Sequence, residues 1–542
     1  RGILCPFAPG RFYNTFILIY LTHRAETLPR TMPIPLPTSL PKTLPHTTNT
    51  HEREGNSMKK KLVSTLLCAA MVSSLLAGCG GSDAPAADSG ADAGTETAGD
   101  DADDADDADD AAAGDSGATA SGDYSGTVRM LNFKPEISDA MQEVAAAYTA
   151  ETGIDVQIET AASGQYESTL TARMDSSEAP GIFVVENVTA LGNWKEYCRD
   201  WSDTELYSYV TDQKYTMQED GKVLALCYVL EGWGIIVNSE ITDAYFASPN
   251  KSTEYTSLDD LYTFDALKAV VEDMTAMKDE LGIQGVFGST SLKQGDDWRY
   301  QTHLMNIPLY WEWGADVDIN GAVPEFSFAN AENFKNILDL YLNNSVIEPS
   351  LVGTRTVDDS MAEFALGQCA MIQNGDWAWN TILNTEGKVV KDDKVRFIPI
   401  TSGVDGEENM GLCVGGSQSF CINSQLPEED QLAAIDFLTW LFSSDTGKNL
   451  VAQKLQLVTP FSCMEGAEYT NPLFGSEAEI SAAGKTAYST ACNLIPDQTW
   501  KDSFGASLLM YAQGQKTWDD VVADAVSEWA VERDITNTAN GN

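Results

Sequence analysis

Histidine is almost missing from this chain: His23, His46, His51 and His303 are the whole complement, and only His303 lies beyond residue 60. A multi-histidine metal site, or a relay in which histidine moves protons for a nucleophile, has nothing to be built from in the body of the protein. Basic residues are scarce as well, 33 Lys and Arg against 81 Asp and Glu in 542 residues, for a formal charge of −48. Nucleic-acid phosphate and anionic lipid headgroups would be repelled by such a surface, so no nucleic-acid partner is expected. No Cys-x-x-Cys occurs, and the cysteines beyond Cys79 are an odd seven (Cys198, Cys227, Cys369, Cys413, Cys421, Cys463 and Cys492). That speaks against a zinc site or a disulfide framework, and several of the seven sit in apolar runs where cysteine behaves as a small hydrophobe. From Tyr124 onward no apolar run approaches the length of a membrane span. Neither a metal nor a cofactor is expected. What is present is a 43% hydrophobic content, enough for a large core, in a chain long enough for more than one domain.

Four pieces of chain differ in composition. Residues 1–57 hold six Pro from Pro29 to Pro45 and read as translated upstream sequence, because a secretory signal begins at Met58. The Glu54-Gly55 codons can form a purine-rich tract just before that Met codon. Residues 58–78 carry Lys59-Lys60-Lys61, an apolar stretch from Leu62 to Leu75, and small residues before a cut. The ending Leu76-Ala77-Gly78-Cys79 resembles the lipobox of bacterial lipoproteins, which implies lipidation at Cys79. Residues 79–123 contain 14 acidic residues and no Lys or Arg, with an Asp-Asp-Ala repeat from Asp100 to Asp110. Such a stretch has no apolar face to bury and is extended by its own charge, so it reads as a disordered linker.

The remaining body keeps a charge of −40. Thr127–Phe133 reads as a strand, and 136–152 has apolar residues at helical spacing with Gly153 as a C-cap. Ile154, Val156 and Ile158 alternate as in a strand. A helix over 166–176 then leads to a strand at Ile182-Phe183-Val184-Val185. Strand and helix in alternation predict an α/β fold on a mostly parallel sheet, with ligands bound beyond the carboxyl ends of the strands, where Lys134, Glu136, Glu186 and Asn187 stand. Phe334, Ile337, Leu338 and Tyr341 mark a later amphipathic helix, and Leu432, Ile435, Leu438, Leu441 and Phe442 another.

All twelve Trp lie beyond residue 190, and they recur beside polar groups in Glu231-Gly232-Trp233, Tyr310-Trp311-Glu312-Trp313 and Asp376-Trp377, with Trp500 further on. An aromatic face stacks on the C–H face of a pyranose while carboxylates and amides take the hydroxyls, so this pairing suits a neutral sugar. Trp440 and Trp529 sit on helical faces and read as core. Trp377, in a Gly-bounded loop beside Asp376, reads as a ligand contact.

The run Phe364-Ala-Leu-Gly-Gln-Cys-Ala-Met371 … Asn374-Gly375-Asp376-Trp377-Ala378-Trp379-Asn380 resembles a conserved-type segment of the family 1 extracellular solute-binding proteins. Tyr148–Ile158, Ala179–Phe183, and Gly415-Gly416 through Leu441 to Ser443-Ser444-Asp445 are similar to three further elements of that family, in family order from about residue 128 to 460. The resemblance implies a two-lobed, periplasmic-binding-protein-like α/β fold with a ligand cleft between lobes joined by several hinge crossings. It places the first lobe at 124–232 with 414–458 and the second at 233–413 with 459–542. It implies sugar stacking on Trp377 and a structural Trp379. A polar pair is implied at Lys134 and Glu136, though Pro135 separates them here. Glu231 falls where the chain crosses between lobes, Trp311 and Trp313 fall near an aromatic ligand segment, and Gly416 is a source of a backbone N–H. The expectation is a monomeric, lipid-anchored binding component of an ABC importer on the outer face of the membrane. It would capture a carbohydrate, an oligosaccharide by this reading, by lobe closure and hand it to the permease, with no bond chemistry. Two alternatives stay open: a secreted glycoside hydrolase, since paired carboxylates and Trp also furnish those sites, and the same fold binding a polyamine or other cation.

Overall fold

The Ser138–Thr152 helix shows how local pattern becomes packing here. Met141, Val144, Ala145 and Tyr148 fall on one face and are buried, and the helix stops at Gly153, whose left-handed φ of 76° lets its N–H reach Thr149 O at 2.8 Å. The computed structural model describes residues 126–540. The upstream stretch, the signal, Cys79 and the acidic linker lie outside the described residues.

Ten strands form one sheet. In chain order they are β1 (Val128–Asn132), β2 (Val156–Thr160), β3 (Ile182–Val185), β4 (Thr216–Glu219), β5 (Lys222–Asn238), β6 (Gly285–Phe287), β7 (Cys369–Gly375), β8 (Val395–Ile398), β9 (Met410–Ile422) and β10 (Thr486–Tyr488). The main path runs β2-β1-β3-β9-β5-β7-β6. β1 is parallel to β2 and β3, as strand–helix alternation predicts, but β3–β9, β9–β5 and β5–β7 are antiparallel. The sheet is therefore mixed rather than mostly parallel. The long strands β5 and β9 run through the middle of the sheet and pair antiparallel with their neighbours.

Those two strands pass from one hydrophobic core to another. One core takes residues from Val128 to Val229 and from Phe420 to Met464. A second takes Trp233 through Trp529, and a smaller third packs on the opposite sheet face around Ile236, Phe364, Trp379 and Phe397. The change of core falls at Leu230-Glu231-Gly232 on β5 and at Val414–Ser417 on β9, where Glu231 pairs with Gly415 and Leu230 with Gly416. Residues 414–417 are half-buried between fully buried neighbours on the same strand. The predicted helices at 331–343 and 428–443 are present, although Ala433, Ala434 and Phe437, rather than Leu432 and Ile435, make the buried face of the second. Trp440 and Trp529 are core, as expected. The seven body cysteines are free thiols, five of them buried. Among the described residues no helix is long and apolar enough to cross a membrane, and no group of His, Cys, Asp and Glu could hold a metal.

Candidate functional site

β1 ends at Asn132, whose side chain clamps the next turn: its Nδ2 donates to Lys134 O at 2.7 Å, and Lys134 N–H donates to its Oδ1 at 3.2 Å. This aims Lys134 at the crossing strand. Its ammonium is 4% exposed and bonds Glu136 at 3.0 Å and Glu231 at 2.5 Å. Burial alone would strip that charge, but the two carboxylates outweigh it and hold the lysine pKa well above its ordinary value. Pro135 does not separate the pair, because it starts a 3₁₀ turn that swings Glu136 back over Lys134. The Ser417 hydroxyl, on β9, donates to the other oxygen of Glu231. Three segments distant in sequence thus converge where the chain changes core.

The second core contributes an aromatic cluster. Lys134 Nζ stands 5.6 Å from the centre of the Trp377 ring. Trp377 is half-buried and folds back over Gly375, where any Cβ would strike its ring. Its neighbours are His303 at 5.2 Å and Trp298 at 6.1 Å between ring centres. Trp233, buried on β5, stacks on His303 at 4.7 Å and donates its N–H to His303 O at 3.3 Å. His303 sits in a π-helix, Arg299–Leu304, a rare form that often marks functional sites. Burial, reinforced by Lys501, Lys134 and Arg299, lowers its pKa to about 3, so the ring is neutral at physiological pH. Its Nδ1 is sealed from solvent and has no partner.

Asp376 lies beside this cluster but turns inward. It accepts the Gly232 N–H at 2.7 Å, returns its own N–H to Gly232 O at 2.9 Å, and its carbonyl accepts from Asn471 at 2.9 Å. It therefore ties the crossing strand to the loop after β7, and its carboxyl is committed to backbone rather than offered to a ligand. Burial, with Glu477 and Glu231 adding to it, pushes the Asp376 pKa far up. Glu477, on the Pro472–Ala482 helix, is raised to about 8 by burial and by Glu231, against its hydrogen bond with Asp376.

Other residues singled out from the sequence scatter. Glu186 ends β3 half-exposed, 3.8 Å from Lys501. Asn187 caps the Val188–Trp194 helix by accepting the Ala190 N–H at 2.9 Å, so its side chain is engaged locally. Gly416 is half-buried on the crossing strand, and its carbonyl accepts from Asn493 at 3.4 Å. Trp500 is a correction: it is fully buried, stacks on Phe504 at 5.0 Å and donates to Ala525 O at 2.9 Å, because the Trp518–Ala539 helix closes over it. Trp311 and Trp313 also stand apart from Trp377. The first donates to Tyr488 Oη at 3.3 Å, and the second packs 5.7 Å from Trp529 and donates to Glu325 O at 2.9 Å. Sequence reasoning passed over Trp298, His303 and Ser417. A signal for Trp298 existed, since Gly295-Asp-Asp-Trp298 repeats the Gly-Asp-Trp pattern of Gly375–Trp377.

The site thus offers aromatic faces, one fully paired cation, hydroxyl and carboxylate acceptors, and a hinge-like pair of crossing strands. A family model described as bacterial extracellular solute-binding protein matches residues 143–472. No curated protein matches the chain. Among solved structures, a chitin oligosaccharide binding protein is 18% identical, with 78% of this chain and 100% of that one covered at a TM-score of 0.57. The GacH receptor of Streptomyces glaucescens, solved unliganded and with acarbose, is 16% identical, with 76% and 99% covered and a TM-score of 0.56. A sugar transporter from Bacillus licheniformis in complex with stachyose is 14% identical, with 75% and 100% covered and a TM-score of 0.56. At these identities the likeness shows the fold, which is the two-lobed type.

Proposed function

Because the chain belongs to the bacterial extracellular solute-binding protein family, we propose that it is the substrate-binding component of an ABC importer and captures a carbohydrate between its lobes. The first lobe is 124–232 with 414–458 and the second 233–413 with 459–542; the cores exchange at 230–233 and 414–417 in keeping with this, while Phe461 and Met464 still pack in the first core. Binding shifts the population from open to closed, with β5 and β9 as two of the hinge crossings, and the permease takes the ligand from the closed state. Cys79 carries the lipid anchor, the acidic linker holds the body off the membrane, and the protein works as a monomer without bond chemistry.

The observation that carries the ligand class is the Trp377–Trp298–His303 cluster set against Lys134, Glu136 and Glu231. Aromatic faces take the C–H face of a sugar ring, and the polar groups around them take its hydroxyls. Lys134 is neutralised by its own carboxylates, so the site needs no charged ligand. Similar proteins are described with acarbose and stachyose, which supports the same class here. A cationic solute is the competing reading, favoured by the excess of carboxyls over lysines around the seam. A thermal-shift screen of mono- and oligosaccharides beside spermidine decides between them. A sugar that raises the melting temperature without being cleaved supports the proposal, whereas a shift with spermidine alone overturns it.

A further inference from the structure

Two glycines meet across one flank of the seam. Gly164 lies in the loop between β2 and the Tyr166–Met174 helix, and Gly295 in the loop that leads to Trp298 and the π-helix. Both backbones are left-handed, at φ +67° and +86°. A Cβ on Gly164 would stand 2.5 Å from Gly295 Cα and 2.8 Å from its carbonyl oxygen. The contact is bracketed by hydrogen bonds: Ser163 Oγ donates to Gly295 O at 3.1 Å, and Trp298 Nε1–H donates to Ser163 Oγ at 3.3 Å. Lys501 reaches across the same flank to Glu186 at 3.8 Å. Asn380 Nδ2, on the helix that follows Trp377, donates to Leu455 O at 3.2 Å. The Gly164–Gly295 side of the site is thus closed backbone against backbone, with Trp298 6.1 Å from Trp377.

We propose that the Gly164–Gly295 contact is a size gate, so that the lobes close fully only around a short sugar that ends before Trp298 and longer chains are rejected. This deepens the carbohydrate reading and rests on it. The physical reason is that backbone, unlike a side chain, cannot rotate aside. A sugar chain running past Trp298 needs roughly 4 Å of clearance from every atom it meets, and the two glycine backbones leave none between them. Glycine on both sides is what permits that approach. A ligand that ends short of Trp298 leaves the contact intact and is sealed from water.

The test is calorimetric titration of the full chain with glucose, xylose and N-acetylglucosamine oligomers of one to four rings, on the wild type, Gly164→Ala and Gly295→Ala. Gly295→Ala is the control for backbone strain, because its φ is also left-handed but its Cβ would meet Ser163 O at 3.4 Å and Gly164 Cα at 4.0 Å, both ordinary contacts. The gate predicts that the wild type binds one- or two-ring sugars at least about tenfold more tightly than four-ring ones. It predicts that Gly164→Ala weakens the short ligands about tenfold and Gly295→Ala less than about threefold. Equal or tighter binding of the four-ring sugars overturns the gate and leaves the carbohydrate reading standing. If no sugar binds, ligand-free small-angle scattering separates the two ideas. A larger radius of gyration for Gly164→Ala than for wild type and Gly295→Ala then keeps the gate for another solute while the carbohydrate reading falls. Identical scattering from all three defeats both.

Discussion

Glu477 gives a sharp test of how charge is arranged at the crossing strands. One of its carboxylate oxygens is sealed from solvent without a partner, and the carboxyl presses on Gly232, where any Cβ would strike it. The groups facing it are Asp376 and Glu231, while the cation of the cluster, Lys134, is already held by Glu136 and Glu231. Burial holds both Asp376 and Glu477 toward their neutral forms and, with the Glu231 charge, lifts Glu477 from 4.5 to about 8. A carboxyl raised in this way keeps its proton in the folded state where the unfolded chain has lost it. Between pH 4.5 and 8 the folded protein binds more protons, so stability falls as pH rises through that window and is unaffected by this group outside it. The slope is at most ~1.4 kcal/mol per pH unit; with Glu477 part-exposed, the total is discounted to about 2–3 kcal/mol. Glu477→Gln removes the ionisation and keeps the shape. Urea denaturation should find the variant equal to wild type near pH 5 and more stable by about 2 kcal/mol near pH 8. Asp297, raised to about 7 by burial, and His303, lowered to about 3, titrate in both proteins and cancel in the difference. Parallel pH profiles for the two proteins would refute the raised Glu477 carboxyl.

Three further outcomes follow from the same geometry. Glu231→Gln leaves Lys134 buried with Glu136 as its remaining carboxylate, so urea denaturation should show a loss of about 2 kcal/mol, and a loss below about 0.5 kcal/mol would mean that the pair is not buried as described. Trp500→Ala should cost about 3–5 kcal/mol as a core truncation, whereas Trp377→Ala should cost less than about 1.5 kcal/mol in stability and show its effect in sugar binding instead. Gly375→Ala drives a methyl into the Trp377 ring; displaced from His303 and Trp298, that ring should lose sugar affinity and change the intrinsic fluorescence, and an unchanged spectrum would contradict the packing.

What could be read from the sequence was local. β1, β3 and the Ser138–Thr152 helix follow from apolar spacing and a C-capping glycine, and the positions just past β1, Lys134 and Glu136, stand at the seam. Their alliance with Glu231 and Ser417 depends on contacts between segments roughly a hundred or more residues apart, which periodicity does not carry. The tryptophans show the same limit. Trp500 and Trp377 look alike in sequence, each near polar residues, yet the Trp518–Ala539 helix buries one and the open turn after β7 leaves the other half-buried. Asp376 was misread for a related reason: only the register of β5 against β7 shows that its carboxyl is taken by the Gly232 N–H. The mixed sheet escaped prediction because β5 and β9 are long strands that cross between cores, and nothing in their composition shows their direction.

The central claim is that a sugar is held by the Trp377 cluster between two closing lobes. The most direct measurement is a fluorescence titration of wild type and Trp377→Ala with whichever sugar raises the melting temperature. Saturable binding to wild type, weakened at least about tenfold in a Trp377→Ala protein of unchanged fold, is the predicted result. Equal affinity in the two proteins, or a wild type that answers to spermidine and to no sugar, would contradict the account.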